Sequence, residues 1–174
     1  MARLHFICGK AGAGKTTLAR ELGRMLPAVV FCEDEWIETL GFEIRSLDDF
    51  AKASSKCRAL IGPLAKELLR LGVSVVFDFA GNTISGRQWV RAVFEAANAD
   101  HVLHLIEAND AECLANIHRR NDEKPAGIYW GHVTDETFHQ VTVYFAPPKA
   151  EEGFRILAHI HEPVYSDSGL PRFA

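Results

Sequence analysis

The sequence predicts an α/β fold in three layers, in which a mainly parallel sheet lies between helices on both of its faces. Two observations predict this fold. Apolar, β-rich runs alternate along the chain with segments whose apolar residues recur at helical spacing. The run at 73–77 is apolar at nearly every position, as in strands that helices cover on both faces. The length of 174 residues suits a single domain over 1–174.

The individual elements follow from the same patterns. Strands are expected at residues 4–8, 28–32, 73–77, 102–106 and 155–160. Helices are expected at residues 15–25, 47–71, 86–98, 111–120 and 135–145. Pro63 lies inside the second helical pattern, which should therefore kink or split near Gly62. Ser85 and Asp110 are candidate N-caps, and Gly72 is the expected residue just beyond the end of the second helix.

Composition narrows the function classes. A net charge of -4 argues against binding nucleic acid through a broad basic surface, although a local basic channel stays open. The four cysteines stand singly in apolar surroundings, which predicts reduced core thiols and a reducing compartment. We find neither a signal peptide nor an apolar run of the roughly 18 residues that a membrane span needs. We therefore expect a cytoplasmic protein with no membrane association and no obligate protein partner.

The strongest signal is a glycine-rich segment between the first strand and the first helix. Its residues match the pattern GxxxxGK[ST] and are Gly9, Lys10, Ala11, Gly12, Ala13, Gly14, Lys15 and Thr16. We call residues 9–16 the phosphate loop. Glycines let successive backbone N–H groups point inward, and the following helix adds the positive end of its dipole. The segment therefore predicts binding of a nucleoside triphosphate, with ATP expected and GTP preference left open.

Several side chains of this segment have expected roles. Lys15 would reach the β- and γ-phosphates, and Thr16 would place its hydroxyl on Mg²⁺. Lys10 and Thr17 are secondary candidates for contacts with the nucleotide. The cofactors expected from the sequence are ATP and Mg²⁺.

Asp34 follows the second predicted strand, and the carboxyl ends of strands in an open α/β sheet face the ligand crevice. A carboxylate there can align an attacking hydroxyl or accept its proton. The segment Glu33-Asp34-Glu35 can also be a solvated acidic turn that begins a helix. The two interpretations are compatible, and we expect Asp34 to be functional.

Asp78 ends the third predicted strand, where an acid can hold the water shell of Mg²⁺. It could instead cap the loop that leads to Ser85. Phe79 follows it, where a motor ATPase would have a glutamate to activate water. ATP hydrolysis is therefore disfavoured as the main activity.

A switch GTPase would have a base-recognition motif, [NT]KxD, near the fourth strand. Residues 107–110 lack the lysine of this motif, which disfavours a switch GTPase.

Arg119 and Arg120 end the fourth predicted helix and precede an irregular stretch. They can be surface charges that favour the helix dipole. They can also be transition-state arginines that a mobile lid brings over the phosphates. We call residues 119–133 the lid segment, and we expect one of the two arginines to be catalytic.

With these landmarks in place, the chain resembles the zeta-toxin-like P-loop kinases, which include the 5′-kinase domain of polynucleotide kinase and chloramphenicol phosphotransferase. The resemblance rests on the phosphate loop, on Asp34, on residues 78–82 followed by Arg87 and Trp89, and on residues 114–121. It implies a P-loop NTPase fold with five strands in the order 2-3-1-4-5. It also implies that Asp34 is the general base and that Arg120-Asn121 is the arginine-asparagine pair ending the lid helix.

One departure from that family concerns the acceptor. Polynucleotide kinases have an arginine three residues after the base, and Ile37 stands there in this sequence. A nucleic-acid acceptor is therefore possible but disfavoured. Five residues suggest an apolar, aromatic pocket for a small molecule, or else pack in the core: Trp36, Ile37, Phe42, Phe50 and Trp130.

The expected function is therefore transfer of the γ-phosphoryl group of Mg-ATP to a hydroxyl of a small molecule. The alternatives are a nucleotide-binding regulatory module and a 5′-hydroxyl polynucleotide kinase. Four histidines in or beside the last two strands are expected to be core or strand-edge residues rather than ligands: His101, His104, His159 and His161.

Overall fold

The computed structural model describes residues 2–79 and 81–160. The elements are, in order, β1 (Arg3–Cys8), α1 (Lys15–Met25), β2 (Ala28–Cys32), α2 (Glu33–Thr39), α3 (Leu47–Arg70), β3 (Ser74–Asp78), α4 (Ile84–Ala96), β4 (Asp100–Glu107), α5 (Asp110–Glu123), α6 (Asp135–Thr142), a 3₁₀ turn (Ala150–Glu152) and β5 (Ile156–Ile160). The strands form one sheet in the order β2-β3-β1-β4-β5. The predicted fold class and strand order are confirmed.

All four strand pairs are parallel, so the strands end at a common edge. In the central strand, Phe6 is aligned with Phe77 of β3 and with Leu103 of β4. Cys32, the last residue of β2, is aligned with Asp78. This register brings the segments after β1, β2 and β3 to the same edge, where α/β sheets bind their ligands.

Helices cover both faces of the sheet. One apolar cluster joins the sheet to α2, α3 and α4, and a second joins it to α1, α5 and α6. The four cysteines are buried free thiols, as predicted. Burial raises the pKa of the Cys8, Cys57 and Cys113 thiols, which keeps them protonated and unreactive.

The structure corrects three details of the prediction. Helix α3 does not split at Pro63 but runs unbroken from Leu47 to Arg70. Its buried residues before and after the proline, among them Ile61 and Ala65, pack into the same cluster, and this packing outweighs the lost backbone hydrogen bond.

The two predicted N-caps are also wrong. Thr83, not Ser85, caps α4 by accepting a hydrogen bond from the Gly86 N–H at 3.0 Å. Asn109, not Asp110, caps α5 in a reciprocal capping box with Glu112. Gly72, in contrast, follows α3 with a φ of 85°, as expected for the residue beyond a helix end.

An ion pair with a fully buried guanidinium fastens the segment before β5 to the rest of the molecule. Arg87 of α4 is fully buried and donates from Nε and Nη2 to the two carboxylate oxygens of Glu152, both at 2.7 Å. Its Nη1 donates to the carbonyl oxygens of Gly81 and Ala146, at 3.0 and 2.8 Å. These contacts give Arg87, which the family resemblance had singled out, a structural role.

A row of histidines crosses the sheet from β1 to β5. Nδ1 of His5 lies 2.9 Å from Nε2 of His104, and Nδ1 of His104 lies 2.9 Å from Nε2 of His159. Burial, and secondarily the neighbouring rings, lowers the pKa of His104 to about 3. His101 stacks on Phe94 and accepts from a backbone N–H. Residue 161 lies outside the described residues.

The histidine row predicts acid sensitivity. Since the folded pKa of His104 is below the unfolded value of about 6.5, the stabilisation is complete above that value and is lost as pH falls toward 3. The loss should approach about 1 kcal/mol per pH unit. Urea denaturation between pH 7 and 4.5 measures it, and His104→Gln should flatten the slope. His132→Gln, at an exposed position, serves as control, and equal slopes in wild type and His104→Gln would contradict the prediction.

Candidate active site

The phosphate loop connects β1 to α1 in the geometry that its pattern requires. Its backbone turns at Gly12 and Gly14, with φ angles of 76° and 96°. The N-cap of α1 is Gly14, so no N-cap side chain satisfies the N–H groups of the first turn. This arrangement favours binding of an anion such as a phosphate.

Helix α5 packs directly against the phosphate loop. A Cβ at Gly12 would lie 2.3 Å from the carbonyl oxygen of Cys113, so the helix leaves no room for a side chain there. Asn116 of the same helix donates from Nδ2 to the Gly12 carbonyl at 3.0 Å. On the opposite side, the Asn82 side chain accepts a hydrogen bond from the Gly9 N–H at 3.1 Å. The loop is therefore braced from both sides.

Lys15 folds over the loop that contains it. Its ammonium donates to the carbonyl oxygens of Gly9 and Lys10, both at 2.8 Å. Removal from water lowers the pKa of Lys15, and the nearby carboxylates of Asp78 and Asp34 oppose that shift. The ammonium is thus held near the carboxyl edge of the sheet, beside the two acids that the sequence singled out.

The remaining candidates of this segment differ in position. Thr16 and Thr17 lie half-buried in the first turn of α1. Lys10 instead pairs with Asp110 of α5 at 2.5 Å, which directs its charge toward that helix. Ala11 and Ala13 pack in the apolar cluster beneath α1.

Asp34 occupies the first turn of α2, so the helix-start interpretation is confirmed. Its pKa is raised to about 6, first because protein atoms displace water from the carboxylate and second because Asp78 and Glu33 carry like charges. Lys15 and Arg120 oppose the shift. Asp34 is nevertheless an exposed residue, so water screens part of the effect of these charges.

Asp78 ends β3 and is buried beside Cys32, whose thiol donates to its Oδ2 at 3.4 Å. Its electrostatic influence reaches both Lys15 and Asp34. Thr83, rather than Asp78, caps the helix beyond this loop. The structure therefore brings Lys15, Asp34 and Asp78 together at one end of the sheet.

The two candidate arginines face different surroundings. Burial lowers the pKa of Arg120, and the charge of the Asp34 carboxylate opposes that shift. The Nε of Arg120 is buried and has no hydrogen-bond partner among the described residues. Arg119 is exposed and donates from Nη2 to the side-chain oxygen of Asn116 at 3.0 Å. Arg120 thus faces the acids, whereas Arg119 supports a residue that braces the loop.

The lid segment is tied at its base and near its tip. The buried Asn121 side chain both donates to and accepts from the backbone of Val133, at 2.7 and 3.2 Å. From α1, the Arg20 guanidinium donates to the carbonyl oxygen of Gly127. The segment is therefore closed into a loop beside α1.

A cleft of about 790 Å³ lies next to the phosphate loop, because Asn82 lines the cleft and also binds the loop. Its walls come from α3, the loop before α4, α4 itself and the end of α6. They include the aromatic residues Phe50, Trp89 and Tyr144. Of the five predicted pocket residues, Phe50 lines this cleft. Trp36, Ile37 and Phe42 pack in or against the apolar core cluster, as Phe50 also does. Trp130 is half-buried and does not line the cleft.

Sequence reasoning missed three contributors to this region. Asn116, Arg58 and Tyr144 carry no local motif, and only their distant contacts reveal them. Asn82 and Trp89 were visible through the family resemblance.

Within the parts of the chain that the structure describes, none of the helices has both the length and the apolar character of a membrane span.

Comparison with solved structures identifies the fold. A proposed kinase of Chloroflexus aurantiacus j-10-fl is similar over 91% of this chain and 85% of its own, with 15% identity and a TM-score of 0.72. The APS kinase CysC of Mycobacterium tuberculosis, in complex with AMPPNP and APS, is similar over 95% and 90%, with 20% identity and a TM-score of 0.61. A gluconokinase of Sinorhizobium meliloti 1021 is similar over 93% and 84%, with 15% identity and a TM-score of 0.62.

These likenesses show that the chain has a P-loop kinase-like fold. A search among curated proteins found no match. The family model described as an AAA domain matches residues 4–148, which is most of the chain. That match spans the phosphate loop, both acids and the lid segment, and it shows that the protein belongs to the AAA domain family.

Proposed function

We propose that this protein is a cytoplasmic ATP-dependent phosphotransferase that moves the γ-phosphoryl group of Mg-ATP to a hydroxyl of a small-molecule acceptor. One observation carries the proposal. Asp34 begins α2 directly after β2, at the edge of the sheet that holds the phosphate loop, and its pKa is raised to about 6 although the charges of Lys15 and Arg120 act to lower it. An acid poised in this way is suited to act as a general base near pH 7.

In this proposal the phosphate loop binds the nucleotide. Backbone N–H groups at Gly12 and Gly14 surround the phosphates, and the Lys15 ammonium neutralises the β- and γ-phosphates. The carbonyl contacts of Lys15 hold its ammonium at the loop, so little ordering is needed when ATP arrives.

The donor set at this edge fits Mg²⁺ held together with a nucleotide. A hydroxyl (Thr16) and a carboxylate (Asp78) supply oxygen ligands, which Mg²⁺ prefers. Within the described residues there is no group of three or more metal-binding side chains, so phosphate oxygens and water would complete the coordination. When bound, the ion would neutralise charge on the phosphates.

Asp34 would accept the proton of the acceptor hydroxyl as that oxygen attacks the γ-phosphorus. Arg120, whose Nε is buried without a hydrogen-bond partner among the described residues, would donate to the transferring phosphoryl group. Arg119 would act only indirectly, through Asn116 and the loop. Catalysis would thus depend on positioning and charge rather than on a covalent intermediate.

The first test measures ATP affinity and ADP formation by the purified protein with Mg²⁺, alone and with a panel of hydroxyl compounds. The panel contains nucleosides, sugars, hydroxy acids, aromatic alcohols and 5′-hydroxyl oligonucleotides. We expect acceptor-dependent ADP formation with a small molecule. Lys15→Ala should abolish it and weaken ATP binding at least tenfold, since it removes a charge-assisted contact with the phosphates.

Lys66→Ala, at a half-buried lysine on α3, is the matched control. Wild-type ATP affinity in Lys15→Ala would contradict the proposed nucleotide site. Acceptor-dependent turnover with oligonucleotides alone would contradict a small-molecule acceptor and favour polynucleotide kinase activity. Tight ATP binding without acceptor-dependent turnover would favour a regulatory nucleotide-binding module.

A further inference from the structure

The cleft beside the phosphate loop contains a cation that the phosphotransferase proposal does not use. Arg58 of α3 lines this cleft, and its side chain is 22% exposed. Its Nε is buried and has no hydrogen-bond partner among the described residues. Removing a guanidinium from water is costly unless oxygen atoms face its donors, and a ligand in the cleft can supply such atoms to the terminal nitrogens.

The position of Arg58 is fixed from two sides. Its Cζ lies 5.2 Å from the centre of the Trp89 ring, which also contacts the rings of Phe77 and Phe79. Its Nε lies 3.6 Å from Oε1 of Glu33, too far for a hydrogen bond but close enough for an ion pair. Glu33 is itself buried and accepts a hydrogen bond from Ser54. The guanidinium is therefore held against an aromatic face rather than moving freely in solvent.

The cleft is correctly located to hold an acceptor. Asn82 lines it and also binds the Gly9 N–H of the phosphate loop. Ser54 lines it on another side and binds Glu33, the neighbour of Asp34 in sequence. The lining of the cleft is therefore hydrogen-bonded to the phosphate loop through Asn82 and to the first turn of α2, which carries the proposed base, through Ser54.

The lining specifies the rest of the ligand. Aromatic and aliphatic side chains dominate the walls, among them Phe50, Val141 and Tyr144. Besides Arg58, the described lining has one charged residue, Asp48, which pairs with Lys52 at the exposed rim. A ligand in this cleft therefore meets a mainly apolar surface, the neutral polar residues Ser54, Ser55, Asn82 and Thr83, and the guanidinium of Arg58.

We propose that the acceptor is a hydroxy compound with an apolar body and a carboxylate, and that Arg58 in this cleft is the residue that binds the carboxylate. This inference rests on the proposed phosphotransferase function. A guanidinium carries five N–H donors along different edges, so Nε can face Glu33 while the terminal nitrogens hold a second carboxylate. Because Glu33 already offsets part of the charge, a singly charged carboxylate suits the site better than a doubly charged phosphate.

The test compares matched ligands with the full chain. Hydroxy acids with aromatic or aliphatic bodies are paired with their methyl esters and with monophosphate esters of the same size. Binding is measured by thermal shift and calorimetry in the presence of AMPPNP and Mg²⁺, and turnover by ADP formation with ATP. We expect at least one acid to bind about tenfold or more tightly than its ester and its phosphate counterpart.

Arg58→Gln should weaken binding of that acid on the order of 10- to 100-fold and leave its ester unaffected. Since this change also removes the ion pair between Arg58 and the buried Glu33, Arg58→Lys is measured as well. The lysine keeps the charge but not the planar fork, so we expect an intermediate loss of acid binding. Arg24→Gln, at an exposed position on α1, is the matched control and should change neither.

The outcomes separate this inference from the function on which it rests. Suppose that AMPPNP binds but that esters or phosphates bind as well as acids, or that Arg58→Gln weakens binding of acid and ester equally. In either case the carboxylate inference is wrong, while the proposed phosphotransferase function is unaffected. If no acid in the panel shows Arg58-dependent binding, the inference is also wrong. Failure to bind AMPPNP with wild-type folding would instead overturn the proposed function.

Discussion

Asp34→Asn is expected to lower kcat by on the order of 10²- to 10⁴-fold while ATP affinity changes little. The amide has almost the same shape as the carboxylate but accepts no proton, so the acceptor hydroxyl must attack without a base. Because Asp34 is not part of the phosphate loop, nucleotide binding should survive. Measurement of kcat with the best acceptor and of the Kd of ATP separates the two effects.

The pH profile gives a second readout for the same residue. Asp34 must be ionised to accept a proton, and its pKa is raised to about 6. The wild-type kcat should therefore rise with an inflection near pH 6 and level off above it, and Asp34→Asn should lack that inflection. Glu35→Gln, in the same turn of α2 and exposed, is the matched control. Wild-type kcat in Asp34→Asn would show that another group, or none, acts as the base.

Arg87→Met is expected to reduce the free energy of unfolding by about 3–5 kcal/mol. The change removes a fully buried guanidinium and the hydrogen bonds that it donates to the Glu152 carboxylate and to two carbonyl oxygens. Glu152 keeps the hydrogen bond from the Lys149 N–H at 2.9 Å. Urea denaturation with constant m-values measures the loss. Arg155→Met, at the exposed end of a 3.7 Å ion pair with Asp100, should cost less than about 1 kcal/mol.

Second variants test the reason for that loss. Arg87→Lys should recover part of the stability, since it keeps the charge but loses the two-pronged contact with Glu152. Arg87→Met combined with Glu152→Leu should be more stable than Arg87→Met alone, because no unpaired carboxylate remains. A loss below about 1 kcal/mol in Arg87→Met would mean that the segment around Glu152 readjusts to solvent.

The sequence predicts those parts of the candidate site that are formed by residues adjacent in the chain. The spacing of Gly9 to Thr16 specifies the phosphate loop, because one turn and one helix start form the whole feature. Asp34 and Asp78 could be placed at the site because each follows a strand and parallel strands end at one edge. The strand order came from the family resemblance rather than from periodicity.

The rest depends on contacts between distant segments. Nothing near Arg58 in the sequence indicates that it lies over Trp89, and nothing near Asn116 indicates that it holds Gly12. The predicted split of α3 at Pro63 was wrong for a related reason. The buried face of α3 supplies packing energy that a rule based on the proline alone does not include. Long-range packing thus determines both the proposed acceptor cleft and the course of α3.

The Arg87–Glu152 pair has a practical consequence for recombinant work. The family match ends at residue 148, whereas the counterion of Arg87 stands at residue 152. A fragment cut at the family boundary would keep the guanidinium in the interior and discard the carboxylate that neutralises it. We would expect such a fragment to be insoluble or rapidly degraded in the host cell, and its failure would say nothing about the chemistry of the site. Expression boundaries for this protein should therefore be drawn beyond β5.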